Sequence, residues 1–249
     1  MEFLTNELTE AQCRVILEAL PDARRKTYIE LAFQYKAEKT SNLAVPIIAA
    51  HLYAWNGYLA AVVDRTTGEV EVLLRNFIDE SFADWNSADP RNGSRSWILE
   101  PEGELAKIVN PRRGNFLKDK ANLTKNCEFP RHDDYVAGLT FGNWVHLLPK
   151  SHADKNNPRF ILWEEALRPN LYSLNRVEFQ RRTFFLKEMR NRATHRRPLV
   201  KCMDNLMKVH QYSVEVAKAI NPELGNWLKR EAWIRNALRD WPLKKDSPS

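Results

Sequence analysis

Cysteine and glycine are both scarce in this chain. Its three cysteines, Cys13, Cys127 and Cys202, lie far apart, and no Cys-x-x-Cys pair occurs. The sequence therefore predicts neither a disulfide framework nor a cysteine zinc site, and we expect a cytoplasmic protein. Glycine accounts for only 8 of the 249 residues, which is less than half the usual share of about 7%. Turn-dense all-β folds and collagen-like chains need more glycine, so the composition disfavours both.

Sequence features of export and of membrane insertion are also lacking. The N-terminal segment 1–20 carries acidic and basic side chains and no apolar core, so we expect no signal peptide. Residues 44–63 are largely apolar, and a membrane-spanning helix needs about 20 such residues. Four residues interrupt this segment, namely Pro46, His51, Asn56 and Gly57. We therefore expect it to be a buried core helix, and we expect no membrane association.

The apolar residues recur mainly with helical spacing. Predicted helices cover residues 9–20, 22–35, 46–63, 101–109, 133–148, 160–167, 177–195, 199–220 and 226–239. Thr9 is the predicted N-cap of the first of them. Residues 84–95 and 111–130 predict loops, and the second, which is basic, is either a mobile loop or a basic contact surface. We expect an all-α fold and a single helical domain over residues 1–249.

Residues 61–72 fit two different structures. Thr66 and Glu69 have the spacing of a capping box that opens a new helix. The pair Thr67-Gly68, between two short runs that contain valine, is also typical of the turn of a β-hairpin. The local pattern leaves both alternatives open, with the helix favoured.

Positive charge is concentrated in residues 176–201. This segment holds nine basic and two acidic residues, an excess of seven, whereas the whole chain has a net charge of +6. Such a concentration suits a polyanion such as RNA, although a solvated helix face gives the same pattern. Within the segment lies Arg190-Asn191-Arg192-Ala193-Thr194-His195. An arginine followed at this spacing by a histidine occurs in known ribonucleases, but it also arises by chance in a chain rich in arginine.

Further segments give this motif a context. They are Leu52–Asn56 (Leu-Tyr-Ala-Trp-Asn), Glu71–Asn76 (Glu-Val-Leu-Leu-Arg-Asn), Leu139–Trp144 (Leu-Thr-Phe-Gly-Asn-Trp), Leu162-Trp163 and Trp241-Pro242. In this order, and together with Arg190–His195, they resemble the Abi-like (abortive infection) family of the HEPN superfamily over most of the chain. The resemblance favours helix over hairpin near Glu71. It has two departures, because the family often places a second histidine and a glutamate where this chain has Arg196 and Arg197.

The resemblance implies a fold, an activity and partners. The expected fold is a HEPN-type helical bundle with additional N-terminal and C-terminal helices, which forms a homodimer. The expected activity is that of a metal-independent endoribonuclease, acting in phage defence or as a toxin. RNA and an antitoxin, itself RNA or protein, are the expected partners. The catalytic residues that the resemblance implies are Arg190, Asn191 and His195.

These residue types suit RNA cleavage without a metal or another cofactor. The 2′-hydroxyl of RNA attacks its own phosphate, so the enzyme supplies only a proton shuttle and a positive charge beside the phosphorane. Histidine, which titrates at about pH 6.5, can shuttle the proton, and arginine stays charged and binds phosphate. Candidate RNA contacts are Arg192, Arg196 and Arg197. Candidates for lining the site are Glu71, Arg75 and Asn76. The remaining histidines lack partners at ligand spacing, so we assign no metal site.

Helix geometry sets a condition on the motif. In an ideal helix Arg190 and His195 point about 140° apart and are separated by a rise of about 7.5 Å. Pro198 disfavours a helical residue before it, so the helix is expected to end near His195. A loosened last turn, or the two helices of a dimer, would then bring the groups to one phosphate. The alternatives are a catalytically inactive RNA-binding module, which the missing second histidine and glutamate favour, and a protein-interaction bundle.

Overall fold

The structure is a computed structural model that describes residues 7–39, 41–90, 93–110, 115–123 and 130–242. All regular secondary structure in these residues is helical, so the prediction of an all-α fold is confirmed. The α-helices are α1 (Glu10–Glu18), α2 (Asp22–Lys39), α3 (Val45–Ser87), α4 (Gly103–Val109), α5 (Asn115–Leu123), α6 (His132–Gly138), α7 (Phe141–Leu147), α8 (Pro158–Leu162), α9 (Arg176–Thr194), α10 (Met203–Ile220), α11 (Pro222–Glu231) and α12 (Trp233–Arg239). A π-helical turn and two 3₁₀ turns complete the set, at Trp163–Leu167, Arg168–Asn170 and Leu199–Lys201.

The chain divides into two compact units, each built from separate stretches of sequence. Within the described residues, unit 1 contains residues up to 66 together with 189–210 and 232–242. Unit 2 contains residues 67–188 and 211–231, apart from the undescribed gaps. Three of the four boundaries fall inside α3, α9 and α10, and the fourth lies between α11 and α12. A single domain over residues 1–249 stays a prediction.

Unit 1 has a core of aliphatic and aromatic side chains. Thr9 caps α1 as predicted, because its hydroxyl accepts the Gln12 amide at 3.2 Å and the Gln12 side chain accepts the Thr9 amide at 2.8 Å. Buried residues of α1, α2 and the start of α3 form one cluster, which includes Leu17, Tyr28 and Leu52. Segment 44–63 therefore supplies core residues to this unit, as the sequence predicts.

The helix α3 corrects two sequence-based expectations. It is continuous from Val45 to Ser87, so the β-hairpin alternative at residues 61–72 is wrong, and so is a loop beginning at residue 84. The Thr66 hydroxyl donates to the carbonyl of Val62 at 2.8 Å, within the helix, and does not cap a new one. Buried residues recur with helical spacing on both sides of the Thr67-Gly68 pair. They are Val63, Thr67, Val70, Leu74 and Ile78. This apolar stripe decides the structure over the local turn signal.

Among the described residues, α3 is also the helix that is long and apolar enough to cross a membrane by length and composition. Its most apolar window is 44% buried inside the protein. The core helix of a soluble protein passes the same test, so this feature is weak evidence.

Unit 2 is organised around Trp97, which is fully buried. Its ring packs edge-on against Phe82 at 5.2 Å and Trp144 at 6.3 Å between centroids, and its indole N–H donates to Asp79 at 2.8 Å. Buried Asn86 fixes the loop that contains this tryptophan. Its side-chain amide donates to the carbonyls of two loop residues at 2.7 and 2.9 Å, and its oxygen accepts the amide of a third at 2.8 Å.

Several other helix boundaries differ from the prediction. The predicted helix 133–148 is two helices, α6 and α7, because Leu139 is extended and Thr140 caps α7. The predicted helix 226–239 is also interrupted, at Ala232, whose φ of 47° is left-handed. The predicted helix 199–220 begins with a 3₁₀ turn that precedes α10.

The predicted loop 111–130 contains the helix α5, so a loop throughout is wrong. Residues 111–114 and 124–129 of that segment lie outside the described residues.

Candidate functional site

The motif Arg190–His195 occupies the C-terminal end of α9, in unit 1. The helix ends in a Schellman motif, in which the Arg196 amide donates to the carbonyl of Ala193 at 2.8 Å and the Arg197 amide to that of Arg192 at 3.0 Å. Arg196 has a left-handed φ of 50°, a conformation that glycine usually adopts at this position. The predicted end of the helix near His195 is therefore confirmed, with His195 as the last residue before the chain reverses.

Arg190 lies next to a carboxylate of α3. Its Nε is 4.0 Å from Oδ1 of Asp64, and the Thr194 hydroxyl, one turn further along α9, donates to the same oxygen at 3.3 Å. The Arg190 side chain is 33% exposed and that of Asp64 is 57% exposed, so solvent and ligands reach both. Arg190 is thus held on the Asp64 side of the helix with part of its charge balanced.

His195 is exposed, and its side chain makes no hydrogen bond or ion pair within the described part of the chain. Its amide donates to the carbonyl of Asn191 at 3.1 Å, which keeps the last turn helical. Asn191 itself is half-buried. The described contacts therefore hold Arg190 on the Asp64 side and leave His195 open to solvent, without a contact between the two.

The three arginines predicted to contact RNA differ in their surroundings. Arg192 is half-buried and its Nη2 approaches the carbonyl of Pro198 at 3.4 Å. Arg196 is exposed, and its Nη1 donates to the carbonyl of Gly57 at 3.1 Å. Arg197 is exposed and makes no side-chain hydrogen bond or ion pair among the residues that the structure describes. Of the three, Arg197 is the one whose guanidinium is wholly available to a phosphate.

The chain that leaves the motif is anchored by Asn56, a buried residue of α3. Its side-chain oxygen accepts the amide of Leu199 at 2.6 Å and that of Val200 at 3.3 Å. Pro198, which precedes this 3₁₀ turn, supplies no side-chain cap, so the Asn56 amide acts in its place. Sequence reasoning missed this role. The available signal was an asparagine inside an otherwise apolar helical segment.

The candidate lining residues Glu71, Arg75 and Asn76 belong to unit 2. Arg75 is half-buried, and its Nη1 approaches the carbonyl of Ala137 at 3.5 Å. Glu71 is half-buried and Asn76 is exposed. A role for them in the site stays a prediction.

Several basic side chains of residues 176–201 have partners within unit 2. Arg182 forms ion pairs with Glu178 and Glu215, each at 2.8 Å, and Arg181 also contacts Glu178, at 3.1 Å. Arg176 donates to two backbone carbonyls at 2.6 and 2.9 Å. Glu178 is already counted in the excess of seven, so among the described residues of unit 2 the ion pair with Glu215 is the one that lowers this excess. The exposed Arg196 and Arg197 lie toward the end of the segment.

Among the described residues, no group of three or more His, Cys, Asp or Glu side chains is arranged to hold a metal ion.

The chain matches no family model, no curated protein and no solved structure.

Proposed function

We propose that this protein is a metal-independent endoribonuclease of the HEPN type, related to the Abi-like family and acting in phage defence or as a toxin. The observation that supports it most is the arrangement at the end of α9. A solvent-exposed histidine, His195, and an arginine without a partner among the described residues, Arg197, follow an arginine that lies beside a carboxylate. The anchored exit of the helix keeps these groups in fixed backbone positions.

In the proposed reaction the 2′-hydroxyl of RNA attacks the adjacent phosphorus and the 5′-oxygen of the next nucleotide leaves. His195 takes the proton of the attacking 2′-hydroxyl and returns a proton to the leaving 5′-oxygen, and Arg190 stabilises the charge that develops on the phosphorane. The RNA phosphate then replaces part of the interaction between Arg190 and Asp64. Arg197 binds a neighbouring phosphate, and two copies of the helix end in a homodimer pool their groups. An antitoxin would act by covering the same charged surface.

Paired substitutions separate catalysis from binding. His195→Ala should lower cleavage by a factor of about 10² or more, the usual scale for a general acid or base, with little change in RNA affinity. Arg197→Ala is the matched control on the same exposed turn. It should weaken binding and reduce the salt dependence by about one phosphate contact, while cleavage at saturating RNA persists. Arg190→Ala should impair both properties. Unchanged cleavage by His195→Ala would refute the assignment.

Product analysis tests the reaction type. Because the mechanism uses the 2′-hydroxyl and protein side chains alone, cleavage should survive EDTA and leave 2′,3′-cyclic phosphate ends. Loss of activity with the chelator, or fragments with 3′-hydroxyl ends, would contradict it.

Light scattering at micromolar concentration should give about twice the chain mass of 29.1 kDa. A monomer that still cuts RNA would remove the need for pooled groups.

A catalytically inactive HEPN module that binds RNA is the second candidate. The interaction between Arg190 and Asp64 favours it, since an arginine that already faces a carboxylate stabilises a phosphorane less well. Salt-dependent RNA binding without any cleavage would support this alternative.

A further inference from the structure

A groove in unit 2 has the properties of a ligand site and is separate from the motif in sequence. Its volume is about 720 Å³, within the range of about 300–1,000 Å³ that is usual for small-molecule sites. Apolar side chains, including Ile108, Val145 and Leu147, form much of its wall. Two aromatic residues, Phe116 and Phe184, also line it. Such a wall suits a flat, apolar group.

Arg159 is one of two cationic residues of this groove that have no acidic partner among the described residues. Its Nε donates to the carbonyl of His146 at 2.7 Å, which fixes the direction of the side chain. Its two terminal nitrogens make no hydrogen bond or ion pair with the described residues. The guanidinium is partly buried, and this burial lowers its pKa, with no carboxylate acting against it. A half-buried cation without a counter-ion is costly unless a ligand supplies the negative charge.

The charges around Arg159 leave a small positive excess. Lys107 is paired with Glu104, whereas Lys150, like Arg159, has no carboxylate partner among the described residues. Asp154 is the acidic residue of the lining, and its carboxylate accepts the Asn156 amide at 2.7 Å. Two cations against one acid suit one phosphate better than a triphosphate, which would need more positive charge.

His146, whose carbonyl accepts the hydrogen bond of Arg159, lies near the same cations. Partial burial, and then the positive charges of Lys187, Arg159 and Lys150, lower the pKa of His146, and the charge of Glu188 acts in the opposite direction. Phe184, which is 41% exposed, has the Lys187 ammonium 4.4 Å from its ring centroid. Gln180 on the same wall is half-buried and has an amide without a hydrogen-bond partner in the described residues, so it can meet a polar ring edge.

We propose that this groove binds a small organic anion of the nucleoside monophosphate class. Its phosphate lies on Arg159 and Lys150, and its flat base lies against Phe184 with an edge toward Gln180. The site is independent of RNA cleavage at the end of α9.

Calorimetric titration of the full chain tests the proposal, with adenosine 5′-monophosphate as the probe. Adenosine, which lacks the phosphate, and ribose 5-phosphate, which lacks the base, should each bind about tenfold or more weakly. Arg159→Gln should reduce affinity for the monophosphate by about tenfold or more and leave adenosine unchanged. Arg131→Gln, a change of an exposed arginine outside the lining, is the matched control and should have no effect.

Other variants keep the test decisive if Arg159→Gln does not fold. Lys150→Gln changes an exposed residue and should reduce the affinity for the monophosphate several-fold. His195→Ala and Arg197→Ala should bind it like the parent, so failure of the ribonuclease proposal would leave this result intact. No binding at millimolar probe, or a loss with Arg197→Ala and not with Arg159→Gln, would overturn the proposal. So would Arg159-dependent binding of an RNA strand without binding of the monophosphate.

Discussion

Replacing Asn56 by alanine should destabilise the exit of the motif helix far more than the same substitution at an exposed position of α3. The side-chain oxygen accepts two backbone amides, those of Leu199 at 2.6 Å and Val200 at 3.3 Å. Leu199 is fully buried and Val200 half-buried, so water replaces the lost acceptor for at most one of them. An unsatisfied buried amide costs about 1–3 kcal/mol, and alanine regains about 0.5 kcal/mol of helix propensity. The expected net loss is about 2 kcal/mol.

Amide hydrogen exchange and urea denaturation measure this loss. A change of about 2 kcal/mol corresponds to about a thirtyfold faster exchange at Leu199 and Val200, provided that they exchange through local opening. Asn76→Ala is the matched control, because it makes the same substitution on an exposed face of the same helix, and it should be neutral or slightly stabilising. If Asn56→Ala stays within about 0.5 kcal/mol of the parent and exchange at both amides is unchanged, the anchoring role is refuted.

Three further changes test other parts of unit 1. Arg196→Gly should be about 1 kcal/mol more stable than Arg196→Ala in urea denaturation, because both lose the same hydrogen bond but only glycine relieves the left-handed backbone; equal stabilities would contradict this. Asp64→Asn should lower the free energy of unfolding by less than about 1 kcal/mol, because the contacts of Asp64 are exposed. In filter binding it should raise RNA affinity and make the salt dependence steeper. Weaker binding would contradict the proposed competition between Asp64 and phosphate. His210 is buried, and this burial, followed by the charge of Arg235, lowers its pKa, so the folded state binds the proton less readily than the unfolded chain. The contribution of His210 to the free energy of unfolding should be full above the unfolded pKa of about 6.5 and should be lost as pH falls through the lower folded pKa. His210→Gln should make the free energy of unfolding depend less on pH in this range.

Local sequence signals predicted the ends of some elements because the decisive interactions are local. Thr9 and Gln12 lie within one helical turn, and their reciprocal hydrogen bonds are those expected of a capping residue. Pro198 disfavours a helical conformation at the residue before it, which places the end of α9 correctly.

Elsewhere the same kind of reasoning failed because long-range packing or a rare backbone conformation decided the structure. The Thr67-Gly68 pair looks like a turn, yet the buried positions on both sides of it keep α3 helical. Ala232 has no side-chain feature that signals its left-handed φ. The break between α6 and α7 depends on a capping box in which Asn143 takes the place of the usual glutamate or glutamine.

The candidate site shows the same limit more clearly. The motif itself can be read from adjacent residues, but its partners Asp64 and Asn56 are more than a hundred residues away in sequence, and no local pattern links them to α9. The ion pair between Arg182 and Glu215 likewise offsets a charge that the count over residues 176–201 leaves unbalanced, because Glu215 lies outside that segment.

Different residues of α3 support the backbone at the end of α9 and face the charge of Arg190. A buried amide oxygen on Asn56 and a backbone carbonyl at Gly57 hold the exit of the helix, and neither carries a formal charge. The carboxylate of Asp64 contacts Arg190 and Thr194 from the solvent-exposed side of the same helix. Because the Schellman hydrogen bonds and the Asn56 anchor do not involve Asp64, neutralising this carboxylate removes a competing anion while the backbone that carries His195 keeps its support. Under the proposed mechanism, an exit whose contacts involve no carboxylate would let Arg190 exchange Asp64 for a phosphate while the histidine keeps its place.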